Sequence, residues 1–439
     1  MLSPEDNDII NHVGPGTLMG NLMRRYWTPV MLSEELPAPD CNPVRLRILC
    51  EDLVAFRDTE GRVGIVDVNC PHRGTSMFFG RNEENGLRCV YHGWKFDVTG
   101  QCVDMPSEPP FSIFKSKLQI PAYPTHESGG IVWAYMGPKD KIPGFRDFGT
   151  ENLPREKWRA SKRFQPMTFM QLTEGSYDTT HPSWLHMWGG ATDIQDDGSD
   201  TAGAYNSGMA LWKFWWHDRA PTVQTVEAWH GMRGVGLRTT PNGNTHARLY
   251  HFCLPYGASG MRVPIDDDTT MSFQFATVHS DIQSKLHVDG QNRGRHGLDF
   301  PGWPYDEDGA PRTMANDYLL DRDLQKNGTI YTGILGSFGN QDTMARQTAF
   351  TDRTKEHLGT LDRKIIHIRR ILINASKDLA RGIEPPCLDP SLPYDRIEAP
   401  DQVLLPGQDW TVLGTELDPS YHRLYADPTP VAAPPPLAT

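Results

Sequence analysis

The stretch CPHRGTSMFFGRNEENGLRCVYHGW, residues 70–94, decides how the rest of the chain is read. Cys70 and His72 stand at one end, Cys89 and His92 at the other, with sixteen residues between the two pairs. Each pair is mixed, one thiol and one imidazole, so two separate loops would present one metal site. Pro71, Gly74 and Gly93 are turn residues, and backbone N–H groups of such turns can point at acceptor atoms held between the loops.

Zinc accepts two thiolates and two imidazoles, but its finger spacings usually put the cysteines together and the histidines together. Mixed pairs suit a Rieske 2Fe–2S cluster, in which one iron takes both sulfurs and the other both nitrogens. Imidazole in place of thiolate removes negative charge, raises the potential and leaves an exposed nitrogen where electrons can leave. With its glycines and Trp94, the stretch resembles the Rieske family. A cluster held by Cys70, His72, Cys89 and His92 is the expectation.

At 439 residues the chain exceeds one ordinary core, so two domains are expected. No run of eighteen apolar residues occurs and the start MLSPEDNDII is acidic, which predicts a cytoplasmic protein with no membrane span and no signal peptide. Seven scattered cysteines lack the density of a disulfide scaffold. A net charge of -12 argues against a nucleic-acid partner.

Residues 11–36 carry Gly14, Gly16 and Gly20, but the spacing misses the dinucleotide fingerprint. A turn and a short amphipathic helix are expected there, with Arg24, Arg25 and Trp27 packed against another part of the fold. From Val44 the pattern alternates: VRLRIL, EDLVAFRD, a Glu60-Gly61 turn, RVGIVDV, then WKFDVTGQCV with a Thr99-Gly100 turn, and IVWAYMGP. These short strands predict a small antiparallel barrel over roughly 40–140 after an N-terminal segment 1–39, with GPKDKIPGF as its exit. A second β-rich region follows: MALWKFWWH, TVQTVEAWH, VGLRTT, HARLYHFCLP and TTMSFQFATVHS, with Asn242-Gly243 as a hairpin turn. Residues 286–329 read as a lid or, more simply, as surface decoration. From Thr343 to Arg381 the chain reads as mostly helical, with Ile365, Ile368, Leu372, Ala375 and Leu379 on one stripe and Gly382 at its end. The catalytic unit is expected over 141–425, and 426–439 is a Pro-rich tail.

The run Glu174, Asp178, His181, His186 carries a second constellation. An electron port needs a destination, and two histidines with a distant carboxylate make the facial triad of non-haem iron(II). Five residues along an ideal helix turn the two imidazoles about 140° apart. Pro182 predicts a break, with a new helix beginning near Ser183, that lets them converge. Glu174 stays outside this set.

Beyond the cluster loops, the chain is similar to the oxygenase component of the phthalate 4,5-dioxygenase type of Rieske non-haem iron oxygenase. VGPGTLMGNLMRRYW, FFGRNEENGLRCVYHGWKFDV, NQDTMARQ and DRTKEHLGTLDRKI carry the similarity. The resemblance implies an α+β fold: an N-terminal all-β Rieske domain, then a helix-grip catalytic domain, an antiparallel sheet around a long helix. It implies mononuclear Fe(II) held by His181, His186 and Asp342, with Asp342 opening the long C-terminal helix. It implies a homotrimer or stacked trimers in which Asp178 bridges His92 of one subunit to His181 of the next.

The two metals predict ring dihydroxylation or O-demethylation with O2, and the resemblance implies a small aromatic acid as the substrate. Electrons would come from a separate NADH-dependent flavin/iron-sulfur reductase, since the chain holds no cofactor motif for that task. Arg219, Arg233, Arg238 and Arg248 are candidates to meet a substrate carboxylate. Arg248 leads because HARLYHF places it on one face with Tyr250 and Phe252. The same residues leave open an electron carrier with a binding module, or a zinc-binding structural protein.

Overall fold

The computed structural model describes residues 1–146, 158–187, 212–257, 260–277, 312–335 and 338–413, apart from 395, 396 and 398. Two short helices open the chain, α1 (Pro4–Asn11) and α2 (Leu18–Met23). Each starts where a hydroxyl meets an orphan N–H: Ser3 accepts from Asp6 N–H, and Thr17 from Gly20 N–H. Both pack on the helix at 363–380 near the other end of the chain, and Lys377 of that helix pairs with Asp6 at 2.7 Å.

Arg24, Arg25 and Trp27 pack across the fold as their sequence context predicts. Arg24 donates to the carbonyls of Val13 (3.0 Å), Gly20 (3.0 Å) and Leu49 (2.8 Å) and to the Glu51 carboxylate (2.7 Å). Arg25 pairs with Glu384 and donates to the Tyr135 hydroxyl. Trp27 Nε1 donates to the Pro143 carbonyl at 2.9 Å.

The first β-rich half holds eleven described strands in three antiparallel sheets. β1 (Trp27–Leu32) is followed by β2 (Val44–Ile48), β3 (Glu51–Arg57) and β4 (Val63–Asp67). Then come β5 (Arg81–Glu83), β6 (Gly86–Arg88), β7 (Lys95–Phe96) and β8 (Cys102–Asp104). β9 (Ala122–Tyr123), β10 (Thr125–Ser128) and β11 (Ile131–Tyr135) complete the set. The sheet orders are β2-β3-β4-β9, β5-β6-β7-β8 and β1-β11-β10, so residues 27–32 pair with strands a hundred positions later. An apolar cluster between the first two sheets includes Phe56, Val66, Leu87 and Phe96, and it buries Cys70 and Cys89 as well.

The second half begins with β12 (Trp158–Gln165), α3 (Phe169–Tyr177) and α4 (Trp212–His217). β13 (Thr222–Ala228), β14 (Gly231–Thr239), β15 (Thr245–Cys253), β16 (Gly260–Pro264) and β17 (Thr270–Thr277) follow. The last elements are α5 (Arg322–Lys326), α6 (Phe338–Gln347), α7 (Arg363–Ala380) and β18 (Asp401–Val403). Among the described residues, the strands divide into a four-stranded sheet, β13-β14-β15-β18, and a three-stranded sheet, β12-β17-β16, rather than one large sheet. The hairpin at Asn242-Gly243 joins β14 to β15, with Gly243 at φ 80°.

Three expectations are corrected. The aromatic run at 212–217 is helix α4, not a strand; a continuous apolar run has no period that separates the two, and here Phe214 lies flat on His246 with centroids 4.5 Å apart. The helical region after Thr343 is two helices, and Asp342 lies inside α6 rather than at the start of the long one. Between them Arg353 is fully buried and donates to Asn11 and Glu174, a course that a continuous helix would not allow. The break before His186 falls at Asp178, and a 3₁₀ turn already begins at His181 instead of a helix near Ser183. Asp178 is extended and its carboxylate accepts from Thr180 N–H (2.6 Å) and His181 N–H (3.3 Å), so the aspartate ends α3 before Pro182 is reached.

α7 presents the predicted stripe: Ile365, Ile368, Leu372 and Ala375 are buried, and Gly382 at φ 85° ends the helix. It packs on β13 and β14 as well as on α1 and α2, so helix against sheet is the frame of this half. Most of the excursion assigned to 286–329 and all of the tail at 426–439 lie outside the described residues; residues 314–326 form a 3₁₀ turn and α5. Among the described residues no helix is long and apolar enough to cross a membrane.

Arg24→Met removes the guanidinium from three carbonyls and Glu51 at once. The expected cost is about 3 kcal/mol, a fall of roughly 5 °C in the melting midpoint by circular dichroism. An unchanged midpoint contradicts the role given to Arg24.

Candidate functional site: a cysteine–histidine cluster port and a His–His–Asp centre

The two loops of the opening stretch have the same hydrogen-bonded turn. Cys70 N–H donates to Thr75 O at 2.8 Å and Gly74 N–H to Cys70 O at 2.9 Å. Cys89 N–H donates to Trp94 O at 2.8 Å and Gly93 N–H to Cys89 O at 3.0 Å. Gly74 (φ 77°) and Gly93 (φ 79°) occupy the left-handed position that closes each turn, which is why glycine stands there. The loops sort their donors by element. The thiols of Cys70 and Cys89 face each other in the buried apolar cluster, while His72 Nδ1 and His92 Nδ1 lie 3.0 Å apart at the exposed end. Burial, with Cys89 adjacent, pushes the Cys70 thiol up to about 11. Two buried sulfurs at one end and two imidazole nitrogens at the exposed end match one iron of thiolate and one of imidazole ligation, so the donor set fits a Rieske cluster. His72 stacks on Trp94 and His92 lies against Tyr91, which fixes both rings.

The second constellation comes from three elements. α3 delivers the chain to Asp178, the turn after it carries His181 and His186, and α6 supplies Asp342. His181 Nε2 lies 3.4 Å and His186 Nε2 3.5 Å from the same Asp342 oxygen, and the candidate donor atoms of the three residues fall within 4.8 Å of one another. The imidazole planes are 79° apart, so the two nitrogens approach from different directions. That oxygen is buried, and neither imidazole is at hydrogen-bond distance with good geometry. Two imidazoles and one carboxylate aimed at a common point fit a divalent iron with open positions. Burial works against ionisation of Asp342, but His186, Arg346 and His181 more than offset it and hold the carboxyl below its usual range.

The segment around the histidines is clamped from the sheet. Arg238 of β14 donates to the carbonyl and hydroxyl of Thr179, and Tyr250 of β15 donates to the same hydroxyl at 3.1 Å. Asp178 Oδ2 is 3.6 Å from His181 Nδ1. Burial would raise the Asp178 carboxyl, but His181 and the Thr180 N–H outweigh it and hold it at about 2. Asp178, His181, Asp342, Arg346, Glu174 and Phe350 line a cleft of about 190 Å³.

The comparisons with known proteins bear on both sites together. The family described as Rieske [2Fe-2S] domain matches residues 26–124, and that described as LigXa C-terminal domain like matches residues 134–423. The phthalate 4,5-dioxygenase oxygenase subunit of Pseudomonas putida is 39% identical over 400 residues, 85% of this chain and 86% of that protein. The chain belongs to the Rieske oxygenases of the phthalate 4,5-dioxygenase type. The 5,5'-dehydrodivanillate O-demethylase oxygenase subunit of Sphingobium sp. is 30% identical over 412 residues, 89% of this chain and 85% of that protein. Among solved structures, Pseudomonas putida CBB5 NdmA shares the fold with a TM-score of 0.53 at 17% identity, over 83% of this chain and 94% of that one. Like its relatives, this Rieske oxygenase is an oxygenase subunit with a 2Fe–2S cluster and a mononuclear iron.

In this Rieske oxygenase the four candidate arginines separate by environment. Arg233 donates to the Thr411 carbonyl at 2.7 Å and is buried, and Arg238 is spent on Thr179. Arg219 is exposed, donates to the Trp216 carbonyl and lies over the Trp184 ring. Arg248 is half-buried between the rings of Trp215 and Tyr250, with Asp401 at 3.6 Å. Sequence reasoning missed two neighbours of the centre. Arg346 lies 3.1 Å from Asp342, one helical turn on, and Gln341 bonds His186; the i, i+4 spacing of Asp342 and Arg346 was the available signal. Gly175 of α3 is what admits Arg346, because a Cβ there would stand 2.1 Å from its Nε.

Glu174 is not near the ligand set as a donor. It sits between Arg369 Nε at 2.7 Å and Arg353 Nε at 3.3 Å, and Arg369 also pairs with Glu356 at 2.6 Å. Burial would lower the Arg369 guanidinium, yet Glu174 and Glu356 keep it above its ordinary value. Glu174→Leu strands two buried arginines and is expected to cost about 3–5 kcal/mol, read as lost soluble yield and a lower unfolding midpoint. Equal stability of the variant contradicts this assignment.

Proposed function

We propose that this oxygenase subunit oxidises a small aromatic carboxylate, by ring dihydroxylation or O-demethylation, with electrons delivered by a separate NADH-dependent reductase. The observation that carries the reading is the convergence of His181, His186 and Asp342 on one point, beside Asp178 and in a chain that also holds a Rieske domain. The relatives' names support the substrate class, since phthalate and dehydrodivanillate are both aromatic acids.

His181, His186 and Asp342 hold the mononuclear iron in this reading, and Cys70, His72, Cys89 and His92 hold the cluster. When bound, the two metals supply oxygen activation and the electrons it requires. The chain's own residues do the rest. Asp342 and the two imidazoles would hold the iron, which would supply binding positions for oxygen activation beside the substrate. Asp178 orients His181 through Nδ1 and turns it toward Asp342. Tyr250 and Arg238 tie Thr179, two residues before His181, to β15 and β14. Arg248, with its half-exposed guanidinium on the Tyr250 face, receives the substrate carboxylate. Arg219, over Trp184 between the two histidines, is the second candidate for that role.

The protein works as a homotrimer or as stacked trimers in the cytoplasm. Exposed His72 and partly buried His92, with Val90 and Tyr91 exposed beside them, form the face that meets a second copy. Asp178 then bridges His181 to His92 of the partner subunit, which puts the electron path across the interface.

Asp342→Ala is expected to abolish product and mononuclear iron, the latter by metal analysis, while the reduced cluster keeps its Rieske spin signal. Unchanged turnover sinks the ligand assignment, and a chain that never held more than the two cluster irons is an electron carrier. Asp178→Asn keeps the iron and slows reoxidation of the reduced cluster by at least tenfold in stopped flow. Reoxidation at the parental rate removes Asp178 from the path.

A further inference from the structure

Gln341 precedes the ligand Asp342 on α6, and its side chain is 4% exposed. Its Oε1 lies 2.9 Å from His186 Nδ1, and its Nε2 lies 3.1 Å from the Ile334 carbonyl. An amide can be turned end for end, so the network has to decide its orientation. The Ile334 carbonyl only accepts, so the amide nitrogen must face it. The amide oxygen therefore faces His186, and because an oxygen only accepts, His186 Nδ1 must carry the proton. The remaining nitrogen, Nε2, is then the one with a lone pair, and it points toward Asp342.

From this chain of bonds we propose that Gln341 is a positioning residue for the mononuclear centre, its side-chain oxygen setting the tautomer and ring angle of His186. The inference rests on the reading of His186 as an iron ligand. Beside the other imidazole stands a carboxylate, with Asp178 Oδ2 3.6 Å from His181 Nδ1. The two histidines are thus backed by unlike partners, one anionic and partly open to the cleft, the other neutral and buried. A neutral amide orients the ring without adding charge beside Asp342, which already has the Arg346 cation as its balance. It also links the ligand to the chain entering α6, since Asn340 donates to the Leu335 carbonyl beside the Ile334 bond.

The test separates the two halves of the amide. Gln341→Met keeps the length of the side chain and removes both polar atoms. Gln341→Glu keeps an acceptor for His186 and loses the donor to Ile334. Ferrous iron retained against a chelator is measured by metal analysis. In protein reloaded with cobalt(II), the high-spin signal is read with the cluster oxidised and silent. Iron affinity is expected to fall about 10–100-fold in Gln341→Met. Gln341→Glu should hold iron within about threefold of the parent and restore the parental cobalt signal, because a carboxylate preserves the ligand's outer hydrogen bond. The cluster spectrum confirms folding, and Gln341→Leu serves as a second apolar variant. Parental affinity in both apolar variants overturns the proposal. So does a Gln341→Glu protein as weak as Gln341→Met, which would place the effect in the Ile334 tether. His186→Ala is the control for the underlying reading: iron retained in that variant removes His186 itself from the ligand set, whatever the Gln341 variants do.

Discussion

A buried carboxylate between two guanidiniums holds the second half of the molecule in shape. Glu174 of α3 meets Arg369 of α7 and Arg353 of the connection between α6 and α7, and Arg353 also donates to Asn11 of α1. Four segments distant in sequence are therefore tied together through Glu174 and Arg353. Taking three charges out of water is costly, and the arrangement is stable only while every member is paired. Because Glu174 lies one helical turn before Asp178, the same contacts fix where α3 ends and hence where His181 begins.

The two proposed metal centres are built by opposite means. The cluster port is local: two copies of one turn, each closed by a glycine in the left-handed region, place a thiol inward and an imidazole outward. The iron centre is not local. Its histidines come from a turn clamped by Arg238 and Tyr250 of the sheet, and its carboxylate arrives from a helix more than a hundred and fifty residues later. Small backbone changes in the first centre would be confined to one loop. In the second, any shift of α3 against α6 changes the distances from Asp342 to both imidazoles.

Charge around the iron centre is balanced rather than minimised. Asp178 and Asp342 both stay ionised against the effect of burial, through the histidines, the Thr180 N–H beside Asp178 and, at Asp342, Arg346. Lys364, fully buried on α7, lies with its ammonium 3.3 Å from the Tyr250 ring centroid, and burial drives it well below its ordinary value. The sheet side of the ligand segment is thus lined by basic and aromatic groups, and the cleft side by carboxylates.

The spacing of Cys70, His72, Cys89 and His92 was enough to expect two paired loops offering one donor set, because a motif of two short turns encodes its own geometry. The stripe on α7, the hairpin at Asn242-Gly243 and the small strands from Val44 onward were legible for the same reason: periodicity and turn chemistry act over a few residues. Asp342 was reached through family likeness and not through spacing, and its place inside α6 was misread because nothing near it in sequence shows that the helix stops before Arg353. The aromatic run at 212–217 was ambiguous, since a buried helix and a buried strand look alike when every position is apolar. Glu174 had no role assigned outside the ligand set, and Gln341 looked like any polar residue, until their partners came into view. The sequence by itself determined which atoms are available to bind metal. Only the tertiary structure decided which buried polar groups orient them, because those partners are brought together by packing between segments that share no local pattern.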